Sequence, residues 1–380
     1  MVVQSRLLPR LETGVTMTSF CTQSSGFRQP KPKFQIWRND HMTKTPLVIG
    51  VTMGDPAGVG PEITAALLSD SCADPDIRPV LIGNAAAMRR ALSILKLRTG
   101  LNVMVEYDRT HLRTGVINVY DPGELNLSDV PVGALSKMAG EASMLFNRQG
   151  AGLAMADGID GLVTSPVTKA SAKLAGYDYP GQAEYFAHLA GDLPFSTILI
   201  YKGFHAALFT THLPLIDACR KVTKVNLLTK IRYLHDKRFE LGFPDLRLAV
   251  ASLNPHGGES GTMGREEIDE IEPAIAQARA EGISVDGPFP VNALISPPYD
   301  GRDYDLTLAL YHDQVVARMN MHETTTMTFG LPFIRTSVGH GSALDIAGKG
   351  MADHGALAIT YDHTVKLSRA RRQARAMAAT

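Results

Sequence analysis

From Pro46 onward, short apolar runs alternate with longer stretches that repeat their apolar positions every three or four residues. Leu47–Thr52, Val80–Gly83, Gly161–Thr164, Thr197–Tyr201, Ala206–Thr210, Leu248–Leu253 and Leu306–Tyr311 are each four to six residues of mostly aliphatic side chains, and they predict strands. Between them, 61–69, 85–95, 136–157, 223–237 and 265–281 predict helices; in the last, Ile268, Ile271, Ala274 and Ile275 fall on one face. This alternation predicts an α/β fold with a largely parallel sheet, whose ligands collect at the carboxyl ends of the strands. The last fifteen residues, with Arg369, Arg371, Arg372 and Arg375, read as a basic helix end with a solvated face. Residues 1–41 follow neither period and are expected to be a disordered or non-native extension, with Met42 opening the domain proper.

Composition narrows the function classes. The chain has 380 residues, enough for two α/β domains, and 44% hydrophobic residues support a sizeable core. Lys+Arg 38 against Asp+Glu 38 leaves no global field for nucleic acid or an anionic membrane. The extension is the basic exception: Arg6, Arg10, Arg28, Lys31, Lys33 and Arg38 stand against Glu12 and Asp40. A transit peptide would share that bias, but the segment lacks the apolar stretch of a secretory signal. Cys21, Cys72 and Cys219 lie far apart, which excludes a disulfide scaffold and fits a reducing, cytoplasmic setting. No apolar run is long enough to span a membrane.

Four segments could carry chemistry. Gly54-Asp55-Pro56-Ala57-Gly58-Val59-Gly60-Pro61-Glu62-Ile63 joins a strand to a helix, and reads as a plain turn or a ligand loop; it matches neither common nucleotide fingerprint. His212, His256 and His312 each follow an apolar strand-like run, so three imidazoles at neighbouring strand ends could hold a divalent metal with a position open for substrate. Asp313 and Asn254 are candidates to orient those rings. His340-Gly341-Ser342-Ala343-Leu344-Asp345 places small residues ahead of an acid able to accept ribose hydroxyls, though such loops commonly just turn the chain. Lys169, in Thr164-Ser165-Pro166-Val167-Thr168-Lys169, is either a surface lysine in a first helical turn or, in a closed cleft, a general base.

Five ordered motifs between about Thr45 and Ala358 resemble the 4-hydroxythreonine-4-phosphate dehydrogenase (PdxA) family: MGDPAGVGPEI (53–63), TTHLPL (210–215), LNPHGGESGTMGREEID (253–269), YHDQ (311–314) and GLPFIRTSVGHGSALDIAGKG (330–350). The stretch HGSALDIAGKG also resembles the cofactor loop of isopropylmalate dehydrogenases. The resemblance implies two α/β/α domains around a central cleft, isopropylmalate/isocitrate dehydrogenase-like and without a Rossmann fingerprint. It divides this chain into 42–165 plus 335–380, and 166–334 carrying the histidines. It implies a homodimer with the active site at the interface and one divalent metal per subunit (Zn, Mg or Co) on His212, His256 and His312. NAD would be bound through His340, Gly341, Ser342, Ala343 and Asp345. The implied reaction oxidises a β-hydroxy acid and releases CO2, with Lys169 and Asp313 as catalytic candidates and Arg335 gripping an anionic substrate group.

The substrate end departs from the family pattern. Gln182 and Ala183 stand where the family has His and Thr, Asn320 where it has Lys, and Thr326 where it has Asn. The first three changes remove a potential cation, a hydroxyl and a firm cation, on which phosphate recognition depends. Two substrates are therefore expected in competition: the phosphorylated hydroxythreonine of pyridoxal phosphate biosynthesis, or an altered hydroxy acid, such as a terephthalate-type cis-dihydrodiol carboxylate or a sugar-acid phosphate. A three-histidine metal hydrolase and a silent relative kept for binding are the competing classes; NAD binding separates the first and metal content the second.

Overall fold

The computed structural model describes residues 45–123, 126, 130–295 and 304–378. The extension 1–41 lies outside the described residues. The strands are β1 (Leu47–Thr52), β2 (Ile77–Ile82), β3 (Leu101–Met104), β4 (Ile117–Tyr120), β5 (Gly161–Thr164), β6 (Ser196–Tyr201), β7 (Phe204–Leu208), β8 (Leu248–Ala251), β9 (Val285–Phe289), β10 (Leu306–Ala309), β11 (Thr324–Phe329) and β12 (Arg335–Val338). The helices are α1 (Gly60–Ser71), α2 (Ala85–Ile94), α3 (Lys137–Met155), α4 (Lys169–Leu174), α5 (Gln182–Leu189), α6 (Leu215–Lys221), α7 (Lys224–Asp236), α8 (Glu272–Ala280), α9 (Val291–Ile295), α10 (Asp313–Val316) and α11 (Gly355–Ala378).

Among the described residues, twelve strands join one sheet in the order β3-β4-β2-β1-β5-β12-β11-β6-β7-β10-β8-β9. Both flanks are parallel, as the alternation predicts: β1 pairs with β2 and β5, and β10 with β7 and β8. The centre is not, since β11 runs antiparallel to β12 and β6, and β6 antiparallel to β7. The Lys202–Gly203 turn explains part of this, because two residues can return the chain only antiparallel. Every residue of β1, β5, β8, β10 and β12 is buried, the pattern of strands covered on both faces.

Two main apolar cores result. One gathers β1, β2, β5 and their helices around Ile49, Val51, Met88 and Leu162. The other gathers β8, β10, α7 and α8 around Leu248, Leu308, Ile231 and Ile275. Helix starts follow local chemistry: the side chain of Asn84 accepts from Ala87 N at 3.0 Å, and that of Ser136 from Ala139 N at 3.3 Å. The helix expected over 265–281 is broken. Glu267–Ile271 is a π-turn before α8, because Pro273 has no N–H to return to Asp269. The basic end of α11 is less solvated than its composition predicts: Arg372 donates to Asp160 at 2.6 Å and Arg375 to Asp157 at 2.8 Å. Among the described residues, no helix is long and apolar enough to cross a membrane.

Candidate active site

A cleft of about 380 Å³ opens where β5, β7, β10 and β12 end. It brings together Lys169, Gln182, Ala183, His212, His312, Thr326, Arg335, His340 and Gly341, residues spread over more than 170 positions. Asn320 and Asp313 are exposed and do not line it, although Met321, next to Asn320, does. Asn320 instead starts the 321–323 turn, its Oδ1 accepting from His322 N at 3.1 Å.

Arg335 dominates the electrostatics. It sits on β12 beside β5, buried, with its guanidinium 4.9 Å from the Phe186 ring centre. Its hydrogen-bond partners are all neutral: Nη1 donates to Thr328 Oγ1 (2.8 Å), and Nη2 to Thr164 Oγ1 (2.5 Å) and Gln182 Oε1 (3.3 Å). Burial pushes its pKa down to about 9, with the more distant Glu184 opposing that shift weakly. Among the described residues no carboxylate pairs with it, and Nε has no partner. A buried guanidinium without a counter-ion is chemically able to receive an anionic group.

Gln182 is the hinge of this arrangement. Its Oε1 accepts from both Asn147 Nδ2 (3.2 Å) and Arg335, while its Nε2 donates to Ser165 O (3.3 Å). Lys169 is exposed on the first turn of α4, whose backbone presses on α3 at Gly140; a Cβ there would stand 1.9 Å from Ser171 O. On the other wall, Leu199, Leu208, Val316, Met321 and Val338 make the cleft apolar. Tyr177 and Tyr179 extend it, packed on Tyr185 with ring centres 5.8 and 5.0 Å away. No spacing rule singles out these tyrosines; the signal in the sequence is their density just ahead of Gly181.

The histidines meet only in part. His212 and His312, after the adjacent strands β7 and β10, have ring centres 5.9 Å apart and both line the cleft. His312 Nδ1 lies 2.7 Å from Asp313 Oδ1, which leaves its other ring nitrogen for a ligand. His256 does not line the cleft. It follows β8, one strand farther out at ~4.8 Å per strand, on a turn in which residues 256–260 are all left-handed. Among the described residues, no three His, Cys, Asp or Glu side chains of one chain come together as a metal cage. Asn254 orients no imidazole; its amide donates to Glu266 (2.7 Å) and Glu267 (2.8 Å).

The expected cofactor loop borders the same cleft. His340 and Gly341 line it, and Ser342 is buried with its hydroxyl unpartnered. Ala343 is left-handed at φ 41°, and Asp345 lies farther along, outside the cleft lining.

Comparison with known proteins identifies the family. The family model for the pyridoxal phosphate biosynthetic protein PdxA matches residues 76–362. A protein of Symbiobacterium thermophilum with the provisional name D-threonate 4-phosphate dehydrogenase is 37% identical over 327 residues, covering 84% of this chain and 95% of that one. The crystal structure of a 4-hydroxythreonine-4-phosphate dehydrogenase from Burkholderia phymatum matches with a TM-score of 0.74 at 34% identity, covering 85% and 98% of the two chains. A terephthalate 1,2-cis-dihydrodiol dehydrogenase from Burkholderia xenovorans LB400 matches with a TM-score of 0.57 at 26% identity, covering 83% and 98%. The unpaired guanidinium, the imidazole pair and the lysine thus share one cleft in a fold common to these dehydrogenases, and the chain belongs to the PdxA family, as an oxidoreductase acting on CH–OH groups.

Proposed function

We propose that the chain catalyses the NAD-dependent, divalent-metal-dependent oxidation and decarboxylation of a β-hydroxy acid, of the 4-hydroxythreonine-4-phosphate type in cytoplasmic pyridoxal phosphate biosynthesis. The observation that carries this reading is Arg335, a buried, unneutralised cation sharing one cleft with Lys169 and the His212–His312 pair.

The residues fit a metal in part. His212 and His312 would hold it, and His256, outside its own chain's cleft, is assigned to complete the set from a second copy, which makes the active unit a homodimer. An imidazole donor set favours zinc or cobalt over magnesium, which prefers oxygen. His340 to Asp345 would hold the adenosine end of NAD, with the orphaned Ser342 hydroxyl finding its partner there. When bound, the metal lowers the pKa of a coordinated hydroxyl and NAD accepts a hydride. The chain's own groups do the rest. Arg335 binds the anionic group and fixes the substrate's orientation. Lys169 would accept the hydroxyl proton. The apolar wall of Leu199, Leu208 and Val338 keeps water from the reacting carbon. The lobes 42–165 with 335–380, and 166–334, would close around this cleft.

A second substrate reading has its own support. Gln182 is engaged by Asn147, Arg335 and Ser165, Ala183 offers no donor, and Asn320 lies outside the cleft lining. One buried cation beside Tyr177 and Tyr179 suits a carboxylate on a ring or aliphatic body as well as a phosphate. The test is NADH formation with added zinc or cobalt, run in parallel on 4-phosphohydroxy-L-threonine and a terephthalate-type cis-dihydrodiol carboxylate. Turnover of the first supports the biosynthetic reading, turnover of only the second the catabolic one. No reduction of NAD with any β-hydroxy acid would refute the reaction itself.

A further inference from the structure

The turn between β1 and α1 does not read as a ligand loop once its contacts are followed. Glu62, in the first turn of α1, is buried, and each of its carboxylate oxygens accepts one backbone N–H: Oε2 from Gly348 and Oε1 from Gly350, both at 2.7 Å. Gly348 and Gly350 are left-handed (φ 78° and 65°). With Lys349 between them, their amides form a concave pair of donors of the kind that cradles anions. A Gly-Lys-Gly run beside a cofactor loop invites assignment as a phosphate cradle. Here the chain's own carboxylate fills it.

Two further contacts tie the same turn to the same loop. Val59 N donates to Ser342 O at 2.9 Å. Gly58 approaches Ser342 so closely that a Cβ would stand 2.7 Å from both Ser342 Cβ and Ser342 O. Lys349 Nζ turns back to Asp345 O at 2.7 Å, so it too is spent inside the loop. The segment between these anchors includes the left-handed Ala343, a conformation alanine keeps only where its surroundings impose it.

We propose that Glu62 is the positioning residue of the cofactor loop. Its carboxylate acts as an internal anion that folds 346–350 and thereby presents Ser342–Asp345 to the adenosine end of the dinucleotide; the 348–350 amides are not a phosphate site. This rests on the reading of 340–345 as the NAD site. Arg335, Lys169, His212 and His312 make none of these contacts, so a disturbance of them reaches cofactor affinity before substrate binding.

The experiment is a fluorescence titration of the full chain with NADH, for wild type, Glu62→Gln and Gly58→Ala. Glu62→Gln sets an amide NH2 against a backbone N–H and loses one charge-assisted bond, so the NADH Kd rises about tenfold. Gly58→Ala presses Ser342 outward without touching the charge, and raises the Kd in the same direction. In both, KM for the hydroxy acid at saturating NAD stays within about twofold, whereas a merely structural role would lower the melting temperature and weaken both ligands together. If Glu62→Gln does not fold, Glu62→Asp decides, because its shorter carboxylate cannot reach both amides. An unchanged Kd in the folded variants overturns the proposal. Tighter NADH binding by Glu62→Gln overturns it too, because the freed amides would then be taking a cofactor phosphate. Wild type that binds no NADH refutes the cofactor reading beneath it, and is seen before any variant is compared.

Discussion

Replacing Arg335 with Met should leave the ligand-free protein as stable as wild type or more so, while it removes substrate binding. The guanidinium is buried among neutral partners, and burial lowers its pKa from 12.5 to about 9. At 1.36 kcal/mol per pH unit that difference costs the fold about 5 kcal/mol. The figure is an upper bound, because the Thr164, Thr328 and Gln182 bonds and the Phe186 face return part of it. The sign follows from linkage. A base whose folded pKa is depressed weakens the fold at every pH below that value, so the cost is complete at pH 7 and fades only as pH rises from 9 toward 12.5. Methionine fills most of the same volume without the charge, and the two threonine hydroxyls can rotate to other acceptors. The expected gain is up to about 2 kcal/mol, a rise of a few degrees in melting temperature. Loss of the charged contact should lower kcat/KM by about 10²–10³-fold. Calorimetry with and without substrate, beside steady-state kinetics, reads both. A variant destabilised by about 3–5 kcal/mol with kcat/KM unchanged would mean that Arg335 belongs to a structural ion pair, and the reasoning would be wrong.

Acid should weaken the fold through His205, whose pKa burial pushes down to about 4, with His363 nearby lowered for the same reason. The depressed value means that stability is full above pH 6.5 and is lost as pH falls through 6.5 to 4, by about 3 kcal/mol; melting curves at pH 7.5 and 4.5 should show a smaller drop for His205→Gln, and an equal drop would clear His205. His256→Ala should purify folded but with metal content reduced at least tenfold, measured by elemental analysis; full occupancy would remove His256 from the ligand set. Combining Gln182→His, Ala183→Thr and Asn320→Lys should raise kcat/KM for 4-phosphohydroxy-L-threonine about tenfold or more, with Asn320→Lys contributing least because position 320 lies outside the cleft lining. No gain in that ratio would show that the pocket's departures have been misassigned.

Much of the fold is legible in the residue pattern, and the misses have physical causes. β1 and β5 run over Leu47–Thr52 and Gly161–Thr164 as the apolar runs predict, because both are buried on both faces. β11, with Thr at 324, 325, 326 and 328, reads as a polar stretch, yet all but one of its residues are buried, and Thr328 serves Arg335. β12 hides for the opposite reason: its first residue is an arginine, which no hydropathy rule places in a central strand. The antiparallel centre of the sheet follows from pairing, which apolar periodicity does not encode. Among the site residues, Lys169, Gln182, His212, His312 and Arg335 line one cleft. Placing His256 beside them in one chain assumed that three successive strand ends converge. The left-handed turn over 256–260 and the extra strand spacing defeat that assumption.

On the proposed reading, Gln182 carries more than the loss of one phosphate contact. Gln182 accepts from Arg335 with the same oxygen that accepts from Asn147, and its nitrogen is tied to Ser165 at the carboxyl end of β5. A histidine at that position, if protonated, would set a second cation beside a guanidinium already held without a counter-ion, and only a strongly anionic ligand would settle both. The neutral carboxamide removes that repulsion and leaves Arg335 as the one buried cation in the cleft lining, matched to a single negative charge. On the proposed reading, position 182 would tune the charge the cleft prefers through Arg335. Substitutions at 182 and 335 should then be non-additive in kcat/KM: once Arg335 is methionine, exchanging Gln182 for His should no longer alter the preference between phosphorylated and carboxylate substrates. Additive effects at the two sites would mean that residue 182 meets the substrate on its own account.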